Sequence, residues 1–90
     1  MGARSSLDAL RSPIEALLRM KELGVEVNVR LKDGTEYRGV IEDVDATMNL
    51  ILAEAVQVSE NGAPLVKYGR VFIRGSNILY VYTGEAGALA

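Results

Sequence analysis

Val25-Glu26-Val27-Asn28-Val29-Arg30-Leu31-Lys32-Asp33-Gly34-Thr35-Glu36-Tyr37-Arg38-Gly39-Val40-Ile41-Glu42 is the stretch that sets the architecture. Apolar side chains stand at every second position from Val25 to Leu31, with Glu26, Asn28, Arg30 and Lys32 alternating. That is the period of a strand with one dry and one wet face. Asp33-Gly34 interrupts it, and such a pair between alternating segments predicts a hairpin. The return strand runs from Thr35 to about Val44, with Tyr37 and Ile41 inward and Glu36, Arg38 and Glu42 outward. Gly39 falls mid-strand, where a missing side chain permits the sharp bend by which one strand serves both halves of a small barrel.

Upstream, Ser12-Pro13-Ile14-Glu15 carries the marks of a helix start: a capping Ser, Pro at the first helical position and Glu completing a capping box. Ile14, Leu17 and Leu18 share a helical face, Leu23 closes the segment and Gly24 ends it. Residues 1–11 read as a flexible tail, residues 12–83 as one domain and residues 84–90 as a second flexible tail. Downstream, Asp43 to Thr47 is a short polar loop, Met48 to Val58 a third strand and Ser59 to Pro64 a loop by composition. Leu65 to Arg74 and Ile78 to Thr83 form two more strands around the tight Gly75-Ser76-Asn77 turn. The predicted fold is mainly β: an N-terminal helix and a strongly bent, five-stranded antiparallel small barrel.

The whole chain has 90 residues, 49% of them apolar and 24% charged, with 10 Lys and Arg against 12 Asp and Glu for a formal net charge of −2. No global positive field marks a nucleic-acid partner, so any anion site must be local. The absence of Cys and His removes disulfides, thiolate zinc sites, His- or Cys-dependent triads and imidazole proton shuttles. No metal or cofactor is expected. With no signal-like start and no apolar run of membrane length, the expectation is a cytoplasmic protein with no membrane partner.

The end of the chain departs from the alternation. Val71-Phe72-Ile73 and Ile78-Leu79-Tyr80-Val81-Tyr82 are continuous apolar runs, too wide for the narrow apolar face of the helix to cover. These residues are the predicted oligomer interface. Pairing of the fourth strand of one copy with the fifth of the next is head-to-tail, and it closes into a ring when the rotation allows.

Several segments resemble the Sm-like (LSm) family. Leu31-Lys32-Asp33-Gly34, Gly39 and Asp45-Ala46-Thr47-Met48-Asn49-Leu50 are similar to its Gly turn, mid-strand Gly and Asp-x-x-Met-Asn loop, and Ile73-Arg74-Gly75-Ser76-Asn77 to its Ile-Arg-Gly-x-Asn motif. With the helix, the likeness covers about Ser12 to Thr83. It implies a homo-oligomeric ring, a heptamer or a hexamer, joined by strand four to strand five. It also implies binding of uridine-rich single-stranded RNA at the central pore, in RNA processing or as an RNA chaperone or ribonucleoprotein assembly core, alongside protein partners of RNA metabolism.

The nucleotide pocket implied by the resemblance falls on Thr47, Met48, Asn49, Arg74, Gly75 and Ser76. An Arg guanidinium offers a flat cation for a base to stack on. A carboxamide can meet uracil N3–H and O4 together, a pattern cytosine reverses. Gly75 lets the backbone approach the nucleotide, and Asp45 is expected to brace its loop. Thr47 stands where the family commonly has a His or an aromatic residue, so stacking is one-sided. Ser76 stands where it usually has Asp, a stronger acceptor for orienting Asn49.

Other roles are open to each residue. Arg74 could pair with a carboxylate across the subunit contact, Asn49 could be a loop cap, and Met48 could be core. Glu42, Asp43 and Asp45 suit a solvated strand end better than a cation site, and Tyr37, Tyr68, Tyr80 and Tyr82 suit packing better than a stacking platform. The sequence thus favours a non-enzymatic RNA-binding ring over an oligomeric protein-interaction scaffold with a weakened or absent RNA pocket. A hydrolase is third, since no motif organises its carboxylates.

Overall fold

A computed structural model describes residues 6–84; most of the two predicted tails lies outside them. Helix α1 spans Ser6–Leu23, and strands β1 to β5 span Glu26–Leu31, Glu36–Val44, Leu50–Val58, Pro64–Ile73 and Ile78–Thr83. All the pairings are antiparallel, in the order β4-β3-β2-β1-β5. The bent five-stranded sheet behind an N-terminal helix is the architecture the alternating pattern predicts.

The helix differs at its start. It begins at Ser6 rather than Ser12, and Pro13 lies inside it. Leu7, Leu10, Ile14 and Leu17 recur at helical spacing, and Ala9, Leu10 and Arg11 are strong helix formers. That propensity carries the helix through the capping signal. Its end is as predicted: Gly24 adopts φ 66° and its N–H donates to the carbonyls of Met20 and Lys21 at 3.0 and 3.1 Å. Leu17 is buried in the core with Met20 packed on it, whereas Leu18 and Leu23 face solvent. The helix therefore applies a single ridge to the sheet.

The predicted hairpin turns through a three-residue loop, Lys32 to Gly34. Leu31 N–H donates to Thr35 O at 2.7 Å, Gly34 N–H to Leu31 O at 2.9 Å, and only Gly34 is left-handed, at φ 95°. The barrel bend crosses three strands. At Gly39 in β2 an added Cβ would lie 2.7 Å from the Ala53 carbonyl oxygen and 3.2 Å from Ala55 Cα. Opposite it, Glu54 bulges out of β3 at φ 52°, and Gly69 of β4, at φ 81°, pairs with Ala55. Inside the bend, Leu17, Val27, Val29, Ile41, Leu50, Leu52, Ala55 and Ile73 form one core.

The outer face of β1 and β2 is not simply wet. Asn28 and Glu36 are both buried, contrary to the outward, solvated position their alternation implies for Glu36. The Glu36 carboxylate accepts from Arg30 Nε at 3.0 Å and from the Tyr82 hydroxyl. Asn28 donates to Gly84 O at 2.9 Å and accepts from Arg38 Nε at 3.3 Å, while Arg38 also holds Gly62 O at 3.0 Å. The β3–β4 loop and the end of β5 close over these groups. Burial is tolerated because each polar atom has a partner; among the described residues no buried side-chain nitrogen or oxygen is left without one.

β4 and β5 are the two edges of the sheet, each paired on one side only. Of the predicted interface residues, Ile73 is buried in the core, and Val71, Ile78 and Val81 pack partly against it, so part of each run is covered from within. Tyr82 is half-buried on the polar cluster. Phe72, Leu79 and Tyr80 remain 62%, 58% and 48% exposed. Leu65, Val66 and Tyr68 of β4 are exposed as well, an apolar extension the sequence runs did not single out because Lys67 and Gly69 interrupt it.

Candidate functional site

The β2–β3 loop, residues 45–49, is built around one carboxylate. Asp45 Oδ1 accepts the N–H groups of Thr47 and Asn49 at 2.9 and 3.0 Å and the Thr47 hydroxyl at 2.8 Å. Asp45 Oδ2 accepts Asn49 Nδ2 at 3.0 Å. Asp45 braces its loop, as its charge and position predict. Those bonds hold its carboxyl below the ordinary 3.8, the Thr47 hydroxyl contributing most.

Closing this loop forces Met48 into the left-handed region at φ 67°. For a residue with a Cβ that costs about 1–3 kcal/mol, and it persists only where surroundings over-determine it. Here the amides on either side of Met48 are tied to Asp45, Met48 N–H donates to Asp45 O at 2.9 Å, and its side chain packs against the core. Met48 thus serves as a core anchor at the base of the loop.

The β4–β5 connection is a single 3-10 turn, Gly75–Asn77, in which Asn77 N–H donates to Arg74 O at 2.9 Å. Gly75 lies directly on the other loop. A Cβ there would collide with the Thr47 carbonyl oxygen and stand 2.9 Å from the Met48 carbonyl carbon. The close approach lets Gly75 N–H donate to Asn49 Oδ1 at 2.8 Å, joining segments 26 residues apart. Asn49 Nδ2 also donates to Thr47 Oγ1 at 3.0 Å. Both ends of the Asn49 side chain are therefore engaged within the chain, so the loop-cap role and the pocket position coincide. Thr47, not Ser76, shares with Asp45 the orienting of Asn49.

Thr47, Met48, Asn49 and Gly75 are thus brought into contact, with Arg74 and Ser76 flanking Gly75 on the turn. Arg74 and Ser76 are exposed. The ion pairs among the described residues are Lys21–Asp43, Arg30–Glu36 and Arg70–Glu42, none of which includes Arg74. A charged planar group beside a rigid polar lattice can stack on an aromatic ring and offer it hydrogen-bonding atoms. Among the described residues no three His, Cys, Asp or Glu side chains are grouped to hold a metal ion, and no helix is long and apolar enough to cross a membrane.

A helix ahead of a bent five-stranded sheet with two open edges, and a lattice tying the β2–β3 loop to the β4–β5 turn, define an Sm-like fold. The chain belongs to the LSM domain family, whose model matches residues 18–83. It is 48% identical over 61 residues to a putative snRNP Sm-like protein of Thermococcus sibiricus, a match covering 68% of this chain and 79% of that one. It is 44% identical over 59 residues to a probable U6 snRNA-associated Sm-like protein LSm6 of Dictyostelium discoideum. That match covers 66% of each chain, so it spans just under two thirds of the relative's length. Its structure resembles that of the Pyrococcus abyssii Sm protein in complex with a uridine heptamer, with a TM-score of 0.70 and 33% identity, covering 78% of this chain and 94% of that one.

Proposed function

We propose that this chain binds uridine-rich single-stranded RNA without altering it chemically, as a homo-oligomeric ring in which every copy contributes one pocket. Arg74 stacks on a base, Asn49 reads its edge, and Thr47, Met48, Gly75 and Ser76 shape the floor and rim. The ring serves RNA processing as a chaperone or ribonucleoprotein core in the cytoplasm, with proteins of RNA metabolism as further partners. The observation that carries this reading is the 2.8 Å bond from Gly75 N–H to Asn49 Oδ1, which fixes a polar edge against the turn that carries Arg74, a residue with no ion-pair partner among the described residues.

Two further facts support it. The open edges of β4 and β5 carry exposed Phe72, Leu79 and Tyr80, and a copy's β4 edge laid on its neighbour's β5 edge pairs both and covers those side chains. The structurally similar Pyrococcus abyssii protein is one that holds a uridine heptamer. In the ring the pockets face one strand together, so individually modest sites gain avidity of roughly 100-fold or more.

Fluorescence anisotropy with labelled oligo-U and oligo-C of equal length, across a salt series, tests the reading. Preferential binding of oligo-U that weakens as salt rises is expected. Equal and negligible binding of both would leave the barrel as a protein-interaction scaffold.

A further inference from the structure

The carboxamide of Asn49 has its orientation dictated by its neighbours. A carboxylate can only accept and a backbone N–H can only donate, so the nitrogen must face Asp45 and the oxygen Gly75. Nδ2 carries two hydrogens and meets two acceptors, Asp45 Oδ2 and Thr47 Oγ1, each at 3.0 Å. The Thr47 hydroxyl gives its own proton to Asp45 Oδ1 at 2.8 Å, which leaves its lone pairs for the Asn49 amide. The donors and acceptors close into a loop without conflict. On the carboxamide itself, what remains unspent is one lone pair on Oδ1, the other being taken by Gly75.

We infer that Asn49 reads a base through its carbonyl oxygen alone and that Thr47 is the positioning residue that withholds the amide nitrogen. The pocket therefore recognises the ring N–H of uracil and ignores the exocyclic oxygen at its 4-position. This inference rests on the RNA reading above and narrows it. Cytosine is rejected because its ring nitrogen presents a lone pair to Oδ1, not because an amide hydrogen finds the wrong partner. Only a residue with a hydroxyl at position 47 does this: it accepts from Asn49 while donating to Asp45. A side chain of the same shape without the hydroxyl would release one amide hydrogen toward the base.

The test measures the assembled protein by anisotropy against equal-length oligo-U, oligo-4-thiouridine and oligo-N3-methyluridine. The sulfur of the second is a poor acceptor, and the third lacks the ring N–H. Wild type is expected to bind the thio probe within about twofold of oligo-U and the methyl probe at least about tenfold more weakly, the loss of a net hydrogen bond. In Thr47→Val the thio probe should fall about tenfold below oligo-U, as the freed amide hydrogen turns to O4, and Thr47→Ser should restore the wild-type ratio. A wild-type protein that already disfavours the thio probe tenfold overturns the inference, since the amide then donates to the base. So does a Thr47→Val protein that weakens all probes alike, which is what a merely structural threonine would do. Absence of oligo-U binding by wild type is a separate outcome: it overturns the RNA reading, and this inference with it.

Discussion

Arg74 sits at the lip of a turn whose next residue, Gly75, is pressed against the Thr47 and Met48 backbone. Its guanidinium has no ion-pair partner among the described residues, which is compatible with the base stacking proposed for it. Replacing it with Ala should cost the stacking contribution, about 1–3 kcal/mol per base, seen as loss of most oligo-U binding by anisotropy with the oligomer's mass unchanged. Dissociation of the oligomer instead would make Arg74 an interface residue. Asp45 gives a second residue-scale prediction. Its folded carboxyl titrates below the ordinary 3.8 because Thr47 and Asn49 donate to the charged form. The unfolded chain thus takes up the proton first. The stability this loop contributes is complete above the ordinary value and is lost as pH falls through and below it. The amide signals of Thr47 and Asn49 should lose their dispersion together over that acid window in an NMR titration; if they persist unchanged well below it, Asp45 is not the brace. The resemblance of Asp45-Ala46-Thr47-Met48-Asn49 to the Sm-like loop motif made both residues legible in the sequence. That they bond to each other, and that Asn49 bonds to a glycine 26 positions away, depended on how two loops meet.

At the scale of elements, the bend decides where those loops go. Gly39, Glu54 and Gly69 lie across adjacent strands, and at the first of them any side chain meets backbone rather than a movable rotamer. Gly39→Val should destabilise the fold by about 1–3 kcal/mol, the usual cost of overpacking, measured as a lowered denaturant midpoint with the slope unchanged. An unshifted midpoint would place the bend elsewhere. The edges yield a second prediction. A charge placed at Phe72, 62% exposed on β4, would be buried in a ring but harmless on a free monomer. Phe72→Glu should therefore release a species near the 9.7 kDa of one chain in light scattering, while wild type runs as a multiple of it. Wild type that is itself a monomer at micromolar concentration removes the ring. The glycine and the apolar runs were visible in the sequence; the bulge at Glu54 was not, because nothing in a Leu-Ala-Glu-Ala-Val run distinguishes a left-handed residue from its neighbours.

For the whole molecule, the two faces of β1 show how far a periodic pattern reaches. Alternation separates Val27 and Val29 from Asn28 and Arg30 correctly, but it equates the polar side with water. The structure instead covers part of that side with the β3–β4 loop and the end of β5, leaving Asn28 and Glu36 in a polar cluster with Arg38 and Tyr82. Bonded first of all to Glu36, the Tyr82 hydroxyl is pushed up to about 12. Unfolded tyrosine ionises nearer 10, so this contribution is intact below that value and fades as pH climbs through the higher one.

The sequence by itself determined the order of elements, the hairpin and the mid-strand bend, because each of these is written in local spacing and in the steric needs of single residues, while the two loops were singled out by their resemblance to a family motif. Only the tertiary structure decided which polar atoms of the site are spent and which are free, and which side chains of each apolar run the core claims. Those are questions of directed hydrogen bonds and of burial between segments far apart in the chain, and no local pattern encodes the distance between them.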